Sequence, residues 1–92
     1  MIKTFAHKGL ENFFSRGSKK GINPQQADRI RRLLDRLEGV VAAADMNLPG
    51  YGFHELKGNR KGTYSVEVSG NWRITFRFEG GNALDVNLED YH

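Results

Sequence analysis

The chain has no cysteine among its 92 residues, and this absence excludes several kinds of chemistry. It can form no disulfide framework, no thiolate metal site and no thiol nucleophile. No uninterrupted apolar run approaches the roughly 18 residues that a membrane-spanning helix requires. The start, Met1-Ile2-Lys3, passes directly into charged sequence without the apolar segment of a signal peptide. We therefore expect a cytoplasmic protein.

Several catalytic motifs are also missing. The chain contains neither HExxH nor CxxC, and its acidic pair Glu89-Asp90 stands apart from any tight carboxylate cluster. No glycine-rich phosphate loop precedes a helix. Metal catalysis and nucleotide hydrolysis are therefore both disfavoured, and we expect neither a metal nor a cofactor.

The composition is that of one globular domain covering residues 1–92, with 38% hydrophobic and 27% charged residues. The net charge is +3, and its distribution is uneven. Between His54 and Arg77 five basic residues accompany two acidic ones, whereas four acidic residues and no Lys or Arg follow from Phe78 onward. A basic zone of this kind attracts phosphate groups.

Two helices are predicted in the first half of the chain. Residues 7–16 carry an apolar stripe that ends at Gly17. The second helix opens with Asn23-Pro24, a capping residue followed by proline at the first helical position, and Gln26 is placed to complete a capping box. The apolar face of this helix repeats at Ile30, Leu33, Leu34 and Leu37.

The second half has a period of two, which is typical of strands. Strands are predicted near residues 51–56, 63–68, 72–78 and 83–88, with turns rich in Gly and Asn between them. Residues 2–5 alternate briefly and indicate a short first strand. The predicted fold is therefore α+β, with N-terminal helices packed on one face of an antiparallel sheet.

The strand at 72–78 has two chemically different faces. Trp72, Ile74, Phe76 and Phe78 alternate with Arg73, Thr75 and Arg77, and successive side chains of a strand point to opposite faces. Arginines on a half-exposed strand are often merely solvated. Thr75, however, is too small to shield its two neighbours, so this face also suits a phosphate chain.

Two further groups of residues carry ionisable side chains. His54 and Lys57 stand three apart at the end of a predicted strand, before a turn that contains Arg60 and Lys61. Such a turn is commonly only a solvated hairpin, but a bend would place the imidazole and the ammonium at one rim. Tyr91 and His92 end the chain, where residues are more often frayed than functional.

Taken together, histidine, tyrosine, lysine and arginine suit one reaction, the metal-free cleavage of RNA. In that reaction the ribose 2′-hydroxyl attacks the neighbouring phosphate. A base takes the hydroxyl proton, an acid protonates the leaving 5′-oxygen, and cations stabilise the added negative charge. Histidine titrates near cellular pH and suits the proton transfers, while the planar guanidinium of arginine matches paired phosphate oxygens.

Three stretches resemble a known family: residues 53–62 (FHELKGNRKG), residues 71–76 (NWRITF) and residues 89–92 (EDYH). They are similar to those of the HigB toxins, also called plasmid maintenance system killer proteins, in the RelE/ParE superfamily. The likeness extends over the whole chain, from the Met-Ile-Lys start to the Tyr-His ending. The implied fold is the compact α+β sheet of RelE and the small microbial ribonucleases.

The resemblance implies a toxin of a type II toxin–antitoxin pair that cleaves messenger RNA during translation on the ribosome. Carried over position by position, its active-site candidates are His54, Lys57, Arg73, Tyr91 and His92. Lys57 and Arg73 are assigned to contacts with the phosphate. His54 and His92 divide the acid and base roles, and which residue takes which role stays open. Tyr91 is assigned to stacking on a base or to positioning the attacking ribose. Contacts with the message or ribosomal RNA are assigned to Lys19, Lys20, Arg60, Lys61 and Arg77.

The resemblance also implies partners. These are a small HigA-like antitoxin with a helix-turn-helix, and operator DNA that is bound only by the toxin–antitoxin complex. Two other functions stay open: a ParE-like gyrase inhibitor that catalyses nothing, and a non-catalytic RNA-binding module that uses the basic sheet face. Rapid loss of message after induction distinguishes the nuclease from the gyrase inhibitor, and RNA fragments distinguish it from the binding module.

Overall fold

The computed structural model describes residues 1–90. Its first helix, α1, spans Lys8–Arg16. His7 caps its start, because the ring Nδ1 accepts a hydrogen bond from the Leu10 N–H at 3.1 Å. Gly17 ends it in the left-handed region (φ 73°), with its N–H donated to the Phe13 carbonyl. The helix predicted over residues 7–16 is therefore present, with His7 as its cap.

The second helix, α2, spans Ala27–Gly39 and follows a 3-10 turn at Pro24–Gln26. Asn23 caps that turn by accepting from the Gln25 N–H at 2.9 Å. Gln26 takes a different partner from the predicted capping box, since its Nε2 donates to Ser69 Oγ at 2.8 Å and ties the helix to the sheet. The predicted apolar face is buried in full, at Ile30, Leu33, Leu34 and Leu37.

The chain between α2 and the sheet contains one more short element, a 3-10 turn at Ala43–Met46. The Met46 side chain that this turn presents is fully buried. Within residues 1–90, no helix is both long and apolar enough to cross a lipid bilayer.

Four strands form one antiparallel sheet in the order β1-β2-β3-β4: His54–Glu55, Thr63–Ser69, Trp72–Glu79 and Asn82–Asp90. All four were predicted, but β1 is shorter than the expected residues 51–56. Gly50 and Gly52 have φ values of 84° and 59°, so the chain turns there instead of staying extended. A 3-10 turn at Gly58–Arg60 connects β1 to β2.

The N-terminal segment adds a partial fifth strand beside β4. Ile2 bridges Ala83 and Phe5 bridges Val86, both in parallel orientation. The short first strand predicted from residues 2–5 therefore corresponds to these two isolated bridges. Its parallel pairing has a topological reason, because both helices and three strands cross over between the two segments.

The two faces of the sheet differ as the alternation predicted. Ile74 and Phe76 of β3 are fully buried with Leu33 and Leu34 of α2 in one hydrophobic core. The opposite face is less open than predicted. Thr75 is only 4% exposed, because Glu89 of β4 covers its hydroxyl. The α+β architecture predicted from the sequence is confirmed.

Candidate functional site

Backbone register places His54 and Arg73 on the same polar face of the sheet. His54 of β1 lies opposite Ser65 of β2, and Ser65 lies opposite Thr75 of β3. Arg73 stands two residues before Thr75 and therefore projects to the same side. Residues directly opposite in an antiparallel pair share a face. Two strand spacings, roughly 10 Å, separate the backbones of β1 and β3.

His54 and Lys57 line one cavity of about 370 Å³, together with Glu55, Leu56 and Arg60. The 3-10 turn after β1 bends the chain at Lys57 and returns Arg60 toward the sheet. The shared rim that the sequence predicted for the imidazole and the ammonium is therefore present.

The His54 ring is held in one orientation by its own chain. Its Nδ1 lies 3.1 Å from the carbonyl oxygen of Gly52. A carbonyl oxygen only accepts, so the hydrogen of the neutral ring lies on Nδ1 and the Nε2 lone pair is left available. Nε2 is thus the atom that can take a proton from a substrate hydroxyl.

Glu89 of β4 joins the 3-10 turn to the sheet. Its carboxylate accepts two hydrogen bonds from the Arg60 guanidinium, at 2.8 and 2.7 Å, and a further one from the Thr75 hydroxyl. The hydrogen bonds from Arg60 and then Thr75 hold the pKa of Glu89 below its usual value. Glu89 was not among the predicted site residues. The alternation of side chains along β4 was the sequence signal that could have found it, because this alternation places Glu89 on the polar face opposite Arg73.

Arg77 lies at the other end of the polar face, where acidic neighbours surround it. Its guanidinium contacts Glu79 at 2.5 Å and Asp85 at 2.7 Å. The hydrogen bond that Arg77 donates to Glu79, together with the charges of Glu79 and Asp85, raises the pKa of Arg77. Two carboxylates therefore offset the positive charge that had suggested an RNA contact here.

The remaining basic candidates are exposed. Lys61 lies near the His54 cavity, because it lines an adjoining depression with Glu55, Leu56, Lys57 and Gly58. Lys19 and Lys20 lie in the connection between α1 and the first 3-10 turn. Arg60 was predicted as an RNA contact, and the structure shows its guanidinium on Glu89 beside the candidate site.

Two candidates, Tyr91 and His92, lie outside the described residues. The described chain ends at Asp90, which pairs with Trp72, the neighbour of Arg73. Among residues 1–90, no group of three or more His, Asp or Glu side chains is arranged to hold a metal ion.

The fold defines a class of protein. It matches the crystal structure of a point mutant of YafQ from E. coli with a TM-score of 0.61, over 98% of this chain and 93% of that one. The two sequences are 15% identical, so this match shows the fold alone.

Sequence comparison identifies the family to which the chain belongs. The chain is 44% identical to endoribonuclease HigB of Proteus vulgaris over the full length of both proteins. It is 30% identical to toxin HigB-1 of Vibrio cholerae serotype O1, covering 99% of this chain and 98% of that one. Residues 3–92 match the family model of the RelE-like toxin of the type II toxin-antitoxin system HigB. The chain therefore belongs to the HigB-like toxin family, which confirms the predicted family. The name of the Proteus relative agrees with the predicted enzyme class.

Proposed function

We propose that this toxin is an endoribonuclease that cleaves messenger RNA during translation, without a metal ion, by attack of the ribose 2′-hydroxyl on the adjacent phosphate. The observation that carries the proposal is the sheet register that places His54 and Arg73 on one polar face, with Lys57 at the rim of the His54 cavity. The 44% identity to a full-length protein named endoribonuclease supports it.

In the proposed reaction, His54 and His92 divide the proton transfers. The free Nε2 of His54 favours its use as the base that removes the 2′-hydroxyl proton. The 2′-oxygen then bonds to phosphorus, and the bond from phosphorus to the 5′-oxygen breaks. The acid returns a proton to that oxygen. The products are a 2′,3′-cyclic phosphate and a 5′-hydroxyl.

Cations stabilise the pentacoordinate phosphate in this scheme. Arg73 and Lys57 are the proposed donors, because charge that develops in the transition state is best stabilised by groups already in place. Tyr91 is proposed to stack on a base or to position the ribose. Both terminal candidates extend from Asp90, which pairs with the neighbour of Arg73, and two residues of chain span at most about 7 Å.

The openness of the site supports the proposed dependence on the ribosome. His54 and Lys57 are exposed, so the toxin itself does little to enclose an RNA strand. We propose that the ribosome orients the message, since orientation can account for a large part of such a barrier. Lys19, Lys20 and Lys61 are proposed to contact the RNA backbone, with Arg60 and Arg77 contributing if RNA displaces their carboxylate partners.

The toxin class implies an antitoxin partner. We propose a HigA-like helix-turn-helix protein for this role, with operator DNA bound only by the complex. The cytoplasm is the proposed location, because translating ribosomes are the proposed site of action.

The chemistry of the cleaved ends tests the proposal. Purified toxin is added to a translating system and to the same message without ribosomes. Fragments should appear only during translation, and their 5′ ends should be hydroxyls that accept phosphate from a polynucleotide kinase without prior dephosphorylation. Ends that carry a 5′-phosphate would indicate attack by water and would reject the 2′-hydroxyl mechanism. Intact message would reject the nuclease.

A further inference from the structure

Arg29 of α2 makes an unusual set of contacts with backbone carbonyls. Its Nε and Nη2 both donate to the carbonyl of Glu67, at 3.2 and 3.0 Å, and Nη2 also donates to the carbonyl of Gly50 at 2.8 Å. The guanidinium lies 4.9 Å from the centre of the Tyr51 ring. One side chain therefore holds β2 and the loop before β1 together.

This clamp lies where the regular pairing of β1 with β2 stops. The Glu67 N–H still donates to the Tyr51 carbonyl at 2.8 Å, whereas the Glu67 carbonyl receives its hydrogen bonds from Arg29. Gly52 then turns with a φ of 59°, where no regular ladder can continue. The planar guanidinium, with several donors in fixed directions, can serve two carbonyls at once, which an ammonium on a flexible stem does poorly.

The opposite side of the loop is held by the Glu67 side chain. A Cβ on Gly52 would lie 1.8 Å from Glu67 Oε2, so the carboxylate rests against the glycine. The loop is thus fixed between the Arg29 guanidinium and the Glu67 carboxylate. Its Gly52 carbonyl is the group that accepts from Nδ1 of His54.

We infer that Arg29 is a positioning residue for His54: by clamping the Gly50–Gly52 loop, it fixes the carbonyl that holds the His54 ring and its tautomer. This inference deepens the proposed function, because it assumes that the free Nε2 of His54 does the proton transfer. Arg29 itself lies among backbone carbonyls and an aromatic ring, and it acts only through the loop.

The experiment compares three variants of the purified toxin. Arg29→Met keeps the aliphatic stem and removes every donor, while Arg29→Lys keeps the charge and part of the hydrogen bonding. Arg36→Met is the matched control, because Arg36 also donates from α2 to a backbone carbonyl, that of Asp45 at 3.3 Å, but this carbonyl lies in the 3-10 turn Ala43–Met46 and not in the Gly50–Gly52 loop. Ring ¹⁵N chemical shifts of His54 are measured at a pH where histidine is neutral, alongside cleavage kinetics in the translating system.

Arg29→Met should move the His54 nitrogen shifts away from the Nδ1–H tautomer and lower kcat by up to about 100-fold with little change in KM. Arg29→Lys should fall between Arg29→Met and the wild type, and Arg36→Met should match the wild type in both measurements. If Arg29→Met is too unstable to study, the Arg29→Lys shifts decide the matter alone.

Unchanged His54 shifts in the Arg29 variants would overturn the inference, whatever their activity. Failure of the proposed function looks different: the wild-type toxin would leave the message intact, or His54→Ala would cleave at the wild-type rate. In that case the nitrogen shifts still decide whether Arg29 positions the ring.

Discussion

The Arg60 guanidinium and the Glu89 carboxylate form a paired contact, with two hydrogen bonds of 2.8 and 2.7 Å. The pair fastens the turn that follows Lys57 to the last strand, on the face that carries Arg73. Planar, two-fold contacts between arginine and a carboxylate are among the strongest charged hydrogen bonds. We therefore expect the pair to hold the wall of the His54 cavity in place.

Replacing Glu89 with glutamine should make stability depend less on pH. Because Arg60 and Thr75 lower the Glu89 pKa below its usual 4.5, the ionised carboxylate stabilises the folded state above about that pH. The contribution disappears as the pH falls through the lowered pKa. Glu89→Gln should therefore cost about 0.5 kcal/mol near neutral pH, a modest value since the pair is partly exposed, and almost nothing in acid.

Thermal unfolding across this pH range measures the difference between the two proteins. Glu11→Gln is the control, because Glu11 is exposed on α1 and makes a looser contact of 3.7 Å with Lys8. A gap between the wild type and Glu89→Gln that persists unchanged in acid would show that the ion pair does not contribute in this way.

Arg73→Ala should abolish most cleavage while the protein stays folded. The side chain lies on the polar face, outside the hydrophobic core, and the loss of one transition-state donor costs on the order of 10²–10³-fold. Arg32→Ala, on the exposed side of α2, removes the same charge elsewhere and should leave the rate intact. Circular dichroism and message cleavage are the two measurements. A misfolded Arg73→Ala protein, or equal effects of both variants, would contradict the assignment.

Ending the chain after Asp90 should reduce cleavage about 10²–10⁴-fold, the range for loss of one acid–base group. The core residues of the described chain all precede that point, so the melting temperature should change little. The single variants Tyr91→Phe and His92→Gln then assign the loss to one residue. Full toxicity of the truncated chain in a growing bacterium would remove both residues from the site.

Asp85 offers a test of backbone strain. It occupies the left-handed region, with a φ of 53°, at the register shift between β3 and β4. Asp85→Gly and Asp85→Ala both remove the contact with Arg77. The difference between their free energies of unfolding therefore reports the cost of the backbone conformation. Because alanine is penalised in this conformation and glycine is not, Asp85→Gly should be the more stable of the two by about 1 kcal/mol. Urea unfolding measures the two stabilities. Equal values would show that the backbone at the register shift changes its conformation when alanine is introduced.

Regular patterns in the sequence predicted the parts of this fold that burial controls. The spacing of Ile30, Leu33 and Leu37 marked the inner face of α2, and the alternation through Ile74 and Phe76 marked the inner face of β3. Both patterns reflect the exclusion of water from one side of a regular element. The same alternation assigned Arg73 to the polar face.

Contacts between segments far apart in the chain left no comparable pattern in the sequence. Arg29 resembled any exposed helical arginine, and only the tertiary structure brings the Gly50 carbonyl of the loop and the Glu67 carbonyl of β2 within its reach. Glu89 stood in the sequence as one of two adjacent acids, and its partner Arg60 is 29 residues away. Hydrogen bonds over such separations depend on loop geometry, which local propensities do not encode.

By itself, the sequence determined the order of helices and strands, the two faces of each strand and, through its resemblance to known toxins, the family. Periodic burial and short motifs are local properties, so they can be read along the chain. Only the tertiary structure decided that the parallel N-terminal segment joins β4, that His54 presents Nε2, and that Glu89 holds Arg60. These features depend on strand register, on a glycine turn beside His54 and on a hydrogen bond between segments far apart in the sequence.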